Sequence, residues 1–135
     1  MSSKRAKLHQ ENPRASDFEQ LGLQIMSRQI GSKLTFERRF RTFFGTSPQI
    51  CELIWTNLDP FEQIAPDYPG VQVVHLLWAL MFMKIYAEES VHCGLVGGVD
   101  EKTFRKWTWL FVEYISYEED RVVSYCQFLL IFLHY

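Results

Sequence analysis

The sequence lacks the patterns that identify several common protein classes. Its three cysteines, Cys51, Cys93 and Cys126, form no CxxC pair, and the adjacent His92 and Cys93 have no second ligand pair at zinc spacing. A disulfide scaffold and a zinc finger are therefore not expected. No apolar run reaches the roughly 20 residues that cross a bilayer, and no leading apolar segment resembles a signal peptide. We therefore expect reduced thiols inside a cell and no membrane span.

Charge is sparse and unevenly distributed along the 135 residues. The net charge is -2, but residues 1–42 contain nine Lys and Arg against four acids, whereas residues 43–135 contain five against twelve. This asymmetry is typical of an anion-binding arm on an acidic body, although basic chain ends also occur for solubility alone. A hydrophobic fraction of 47% with 16% aromatic residues indicates one globular domain.

Apolar residues recur at helical spacing through most of the chain. Ser47 and Pro48 form a helix-start signal, since Ser caps the amides of the first turn and Pro fits the first helical position. The predicted helices span residues 17–30, 34–44, 48–58, 71–86, 88–96 and 100–116. Residues 71–86 are apolar nearly all round, which predicts a buried central helix. The predicted fold class is all-α, a small helical bundle with a helix-turn-helix-like unit in its C-terminal half.

The same patterns divide the chain into five segments. Residues 1–16 have almost no large apolar side chains and predict a disordered basic tail, and three prolines and a glycine in residues 59–70 predict a linker. The predicted segments are this tail (residues 1–16), N-terminal helices (17–58), the linker (59–70), the helix-turn-helix-like unit (71–117) and a C-terminal tail of uncertain structure (118–135). The last ten residues, CQFLLIFLHY, are too short to span a bilayer and too apolar for water. Two interpretations remain open: either they pack on the helices, or the chain is cut or re-framed here relative to a longer ancestor.

Residues 97–117, GGVDEKTFRKWTWLFVEYISY, predict a helix with two different faces. Asp100 is a suitable N-cap. The predicted docking face consists of Phe104, Trp107, Phe111, Tyr114 and Ile115. Lys102, Arg105 and Lys106 lie nearly opposite, and Trp109 falls near them.

Long helix, short helix, glycine turn and capped basic helix follow one another in the order of a helix-turn-helix unit, whose last helix enters the major groove of DNA. Residues 100–116 would then be the recognition helix. The candidate DNA-binding residues on it are Lys102, Thr103, Arg105 and Lys106. A second candidate set, for phosphate contacts, is Arg38, Arg39 and Arg41, although a merely solvated basic face is an equal alternative.

The segments FRTFFGTSPQICELIW, HLLWALMFMKIYAEES and GGVDEKTFRKWTWLFVEYIS resemble the N-terminal region of eukaryotic DDE-type transposases of the Harbinger kind and their domesticated relatives. The resemblance covers about residues 36–117. It implies a helical DNA-binding segment that precedes an RNase H-like nuclease with three metal-binding carboxylates, and it implies a nuclear protein.

The carboxylates of such a nuclease do not occur in this chain. Glu118, Glu119 and Asp120 are consecutive, so they cannot converge on a metal pair as separated strand residues would. We therefore expect no enzymatic activity from this chain, and no cofactor unless a nuclease domain supplies a Mg²⁺ site. The expected partner is double-stranded DNA, with a homo-oligomer or partner protein open and no small-molecule substrate evident. The alternative function is a helical protein-interaction or structural module that does not bind nucleic acid.

Overall fold

A computed structural model describes residues 11–26, 33–85 and 87–121. Throughout these residues the regular structure is helical, with no strand, which confirms the predicted all-α bundle. The helices are α1 (Ala15–Met26), α2 (Lys33–Phe44), α3 (Pro48–Leu58), α4 (Pro60–Gln63), α5 (Val74–Lys84), α6 (Glu89–Leu95) and α7 (Glu101–Arg121). No helix among these residues is both long and apolar enough to cross a membrane.

The chain is packed against the bundle from before the first helix. The indole Nε1 of Trp55 donates a hydrogen bond to Asn12 Oδ1 at 3.2 Å, and the Ala15 amide donates to Glu52 Oε1 at 2.9 Å. These contacts place residues 11–16 against α3, although the predicted tail extended to Ser16. Polar contacts order this stretch, and they leave no signal in apolar periodicity. Residues 1–10 of that tail lie outside the described part of the chain.

Helix α2 contributes an aromatic stripe that packs close to α1. Phe36, Phe40 and Phe44 are buried, as their spacing predicts. A Cβ at Gly22 would lie 2.8 Å from Cδ2 of Phe40, so the ring approaches α1 at a point where only hydrogen fits. Gly45 ends α2 with a φ of 76°, a left-handed conformation that glycine adopts without strain.

Helix α3 begins at the predicted signal. Ser47 Oγ accepts a hydrogen bond from the Ile50 amide at 3.4 Å, and Pro48 occupies the first turn. After Asp59, with a φ of 48°, the predicted linker contains the short helix α4. Prolines therefore mark a helix start here as well as a connection, because Pro60 fits the first turn of α4.

Helix α5 is the centre of the bundle, as predicted. It packs chiefly against α7 on one side and α2 on another, and its residues 75–81 are all buried. It is shorter than the predicted helix over residues 71–86. In its first turn, His75 Nδ1 accepts a hydrogen bond from the Gln72 amide at 3.0 Å.

The last two helices form the predicted turn. Gly97 and Gly98 have φ values of 102° and 82°, and the Gly98 amide donates to the Cys93 carbonyl at 2.8 Å. The His92 ring anchors α6, because its Nε2 lies 2.9 Å from the carbonyl oxygen of Ile85 at the end of α5. Helix α6 packs against α7, which gives the helix, turn, helix order that the sequence predicts.

Candidate nucleic-acid interface

Asp100 fixes the start of α7. Its Oδ1 accepts a hydrogen bond from the Thr103 amide at 2.6 Å, and its Oδ2 accepts one from the Thr103 hydroxyl at 3.2 Å. The amide hydrogen bond is the main reason that the pKa of Asp100 lies below its usual value. The predicted N-cap is therefore present. Thr103, a candidate DNA contact, uses its hydroxyl proton inside this cap.

The docking face of α7 is wider than the sequence predicts. Phe104, Trp107, Phe111 and Ile115 are buried, whereas Tyr114 is only half-buried. Thr108 and Leu110 are buried as well and complete this face. A single-face estimate misses them because α7 lies in a groove between α5 on one side and α3 and α6 on others, so more than one side of the helix is covered.

The basic side chains of α7 are on the solvent side. Lys102, Arg105 and Lys106 are all exposed in its first two turns, so the structure brings these three candidate residues together. Lys106 Nζ lies 4.6 Å from the centroid of the Trp107 ring, which is a cation–π distance. Its alkyl chain therefore covers the edge of the docking face while its charge faces water.

An ion pair between α6 and α7 holds Arg105. Its Nε and Nη2 donate to the two carboxylate oxygens of Glu89 at 2.9 and 2.7 Å. This two-pronged contact raises the pKa of Arg105 and lowers that of Glu89. Asp100 and Glu101 are nearer to Arg105 in the chain than Glu89 is. Glu89 is 16 residues away, and only the packing of α6 on α7 brings it close.

The arginines of α2 form a separate basic surface. Arg38, Arg39 and Arg41 are exposed, as expected for the polar side of a helix whose phenylalanines are buried. Helix α2 packs chiefly on α5 and not on α7. The two candidate sets therefore lie on different helices, and each of these helices packs chiefly on α5.

Exposed apolar side chains lie beyond the basic turns. Trp109 is 47% exposed, and its ring meets the ring of Phe82 edge-on with centroids 5.3 Å apart. Met83, beside Phe82 in α5, is 43% exposed, and Tyr117 is 68% exposed. The position of Trp109 near the basic face agrees with the sequence, but its contact with Phe82 was not predictable from periodicity.

A cavity of about 840 Å³ lies at the other end of the bundle and was not expected from the sequence. Side chains of α1, the start of α5 and the α6–α7 turn line it, among them Leu21, Val74, Trp78 and Val96. Gly97 of the α6–α7 turn and Phe61 of α4 also belong to its wall.

The described residues contain no group of three or more His, Cys, Asp and Glu side chains in position to hold a metal ion. His92 and Cys93 are buried in α6. Cys51 is fully buried, and burial raises the pKa of its thiol far above the usual range. Both cysteines are free thiols in the core.

No protein-family model matches the chain, and no curated protein or solved structure is significantly similar to it. The Harbinger resemblance therefore stays a hypothesis based on the quoted segments.

Proposed function

We propose that the chain binds double-stranded DNA through α7. The observation that carries the proposal is the exposure of Lys102, Arg105 and Lys106 in the first two turns of α7, on the side opposite its buried aromatic face. In helix-turn-helix proteins these turns of the recognition helix approach the base edges and nearby phosphates. The resemblance to transposase N-terminal regions supports the same function and, with it, a nuclear location.

The residues have different roles in this proposal. Lys102 and Lys106 neutralise phosphates as mobile point charges. Arg105 is directed by Glu89, and because such an exposed pair contributes little to stability, DNA can compete for the guanidinium. Thr103 stays in the helix cap and supports the start of α7. Arg38, Arg39 and Arg41 would contact phosphates along a separate track.

The salt dependence of binding tests the proposal. For each phosphate neutralised, the slope of log Kobs against log salt changes by about -0.9. Replacing Lys102 and Lys106 with Ala should therefore make the slope shallower by about 1.8. Fluorescence anisotropy with a labelled duplex measures it.

The matched control replaces Arg14 and Lys84, which are exposed on other elements, with Ala. It removes the same charge and should leave the slope nearly unchanged. If both double variants make the slope equally shallower, the effect comes from net charge alone and not from the position of Lys102 and Lys106. A flat slope for the unmodified chain would overturn the proposal of DNA binding. Replacing Arg38, Arg39 and Arg41 with Ala measures the separate contribution of α2, and we expect the slope to become shallower by about 2.7.

A protein-interaction module is the second candidate function. The exposed Trp109 and Met83 favour it, because aromatic residues and Met are enriched at protein interfaces. The acids around α7, Glu89, Asp100 and Glu101, also offset its basic charge. Loss of partner capture on Trp109→Ala, with unchanged DNA affinity, would support this function over the first.

We expect no catalysis from this chain. A DDE nuclease needs converging carboxylates for Mg²⁺, and the proposed DNA-binding segment supplies none. Incubation with supercoiled plasmid and Mg²⁺ should leave the plasmid intact. Nicking that disappears with a chelator and persists after further purification would contradict this expectation.

A further inference from the structure

The C-terminal half of α7 presents a surface that its basic turns do not explain. Trp109, Glu113 and Tyr117 are successive i,i+4 neighbours, so they follow one another along one side of the helix. All three are exposed. Phe82 of α5 extends this surface, since its ring contacts Trp109. We call these four residues the Trp109 face.

A second observation concerns the chain that follows α7. Residues 126–135, CQFLLIFLHY, contain no Asp, Glu, Lys or Arg, and seven of the ten are Phe, Leu, Ile or Tyr. Side chains of this kind are normally covered, because leaving them in water forgoes the hydrophobic contribution of each. This segment therefore requires an apolar or aromatic surface.

Residues 126–135 are close enough in the chain to reach the Trp109 face. Trp109 precedes Arg121, the last residue that the structure describes, by twelve residues, a helical distance of about 18 Å. Residues 122–125 can span up to about 14 Å, and ten further residues span about 15 Å as a helix or about 33 Å when extended. In either conformation, a segment that turns back after Arg121 passes Tyr117 and reaches Trp109.

We propose that residues 126–135 dock on the Trp109 face of the same molecule. The docked segment covers Trp109 and Tyr117 and extends the bundle by one layer on the outer side of α7. Packing against the rings of Trp109 and Tyr117 supplies the contact. The proposal is independent of DNA binding, because it uses neither the basic residues of α7 nor those of α2.

Fluorine NMR of the chain labelled with 5-fluorotryptophan tests the docking. The four tryptophans give four signals, and Trp109→Phe identifies the one from Trp109. The full chain is compared with a chain that stops after Arg121. We expect the Trp109 signal to move on truncation and its solvent isotope shift, small in the full chain, to increase. The signals of Trp55, Trp78 and Trp107, which are buried, should stay in place and report that the bundle is intact.

A substituted full-length chain controls for the loss of fourteen residues. The full-length variant with Leu130→Ser and Phe132→Ser should give the Trp109 signal of the truncated chain. A variant in which Gly and Ser replace residues 122–125 should keep the Trp109 signal of the full chain. An identical Trp109 signal in the full and truncated chains would overturn the proposal. So would a shift that appears only as protein concentration rises, which would assign the surface to a second copy, or only on adding phosphatidylcholine vesicles.

Discussion

The imidazole of His75 on α5 lies face to face with the indole of Trp107 on α7, with ring centroids 4.3 Å apart and planes 10° apart. The same imidazole accepts the Gln72 amide hydrogen bond through Nδ1, so it is neutral with its proton on Nε2. One side chain therefore both accepts a hydrogen bond at the start of the central helix and forms the stacked contact of this helix with α7. This position makes the bundle sensitive to acid.

We predict that protonation of His75 destabilises the fold. Burial, together with the positive charge of Lys106, lowers the pKa of His75 to about 4 from its usual 6.5. Because the unfolded chain binds the proton more readily, this contribution to stability is complete above pH 6.5 and decreases as the pH falls towards 4. The loss amounts to at most about 3 kcal/mol, at 1.36 kcal/mol per unit of pKa difference.

The variant His75→Gln isolates this effect, since glutamine can accept from the Gln72 amide but does not titrate. Urea unfolding at several pH values between 7 and 4 should give a shallower decline for the variant than for the unmodified chain. Parallel declines would contradict the assignment to His75, whatever the difference in stability at neutral pH.

A second prediction concerns the ion pair between Glu89 and Arg105. If DNA competes for Arg105, Glu89→Gln should increase DNA affinity, because it both frees the guanidinium and removes an acid. Glu88→Gln is the matched control: Glu88 is the neighbouring residue, carries the same charge and makes no capping hydrogen bond. We expect Glu89→Gln to raise the DNA affinity about two- to fivefold more than Glu88→Gln does, in keeping with the small contribution of exposed pairs. Equal effects in anisotropy titrations would exclude a role for the pair.

Glycines in two helices should respond oppositely to the same substitution. Gly22→Ala places a Cβ against the buried ring of Phe40 and should lower the free energy of unfolding by about 1–3 kcal/mol. A Cβ at Gly94, in α6, meets nothing within 4 Å, so Gly94→Ala should raise the free energy of unfolding by up to about 1 kcal/mol through helix propensity. Thermal or urea unfolding measures both, and stabilisation by Gly22→Ala would contradict the close packing of α2 on α1.

Thr108 provides a test of the docking face. Its side chain is completely buried, and its hydroxyl has no hydrogen-bond partner among the described residues. Thr108→Val keeps the shape and removes the unpaired hydroxyl, so the free energy of unfolding should rise by about 1 kcal/mol. Thr103→Val on the same helix removes a hydroxyl bonded to Asp100 and should instead destabilise. The two changes in urea midpoint should therefore have opposite signs.

Much of the fold was predictable from local chemistry. Ser47, Asp100 and the glycines at 45, 97 and 98 act through the backbone next to them, and each holds the predicted position in the structure. The phenylalanine stripe of α2 and the continuous apolar run of α5 identified buried helices for the same reason. By contrast, α5 begins later than predicted, at Val74, and its N-cap residue Val73 makes no side-chain capping hydrogen bond.

The candidate site was predictable only in part. Helical periodicity placed Lys102, Arg105, Lys106 and Trp109 on the solvent side of α7, which agrees with the structure. It could not give the partner of Arg105 or the ring that Trp109 contacts, since both belong to other helices. Nor did it indicate that the α2 arginines form a surface apart from that of α7.

The sequence by itself determined the described helices except α4, where most of them begin and which side of each carries charge, because capping, backbone conformation and periodicity depend on neighbouring residues. The tertiary structure alone decided the pairing of Arg105 with Glu89, the stacking of His75 on Trp107 and the contact of Trp109 with Phe82. Those contacts join residues far apart in the chain. They depend on how α5, α6 and α7 pack, and no local pattern records that packing.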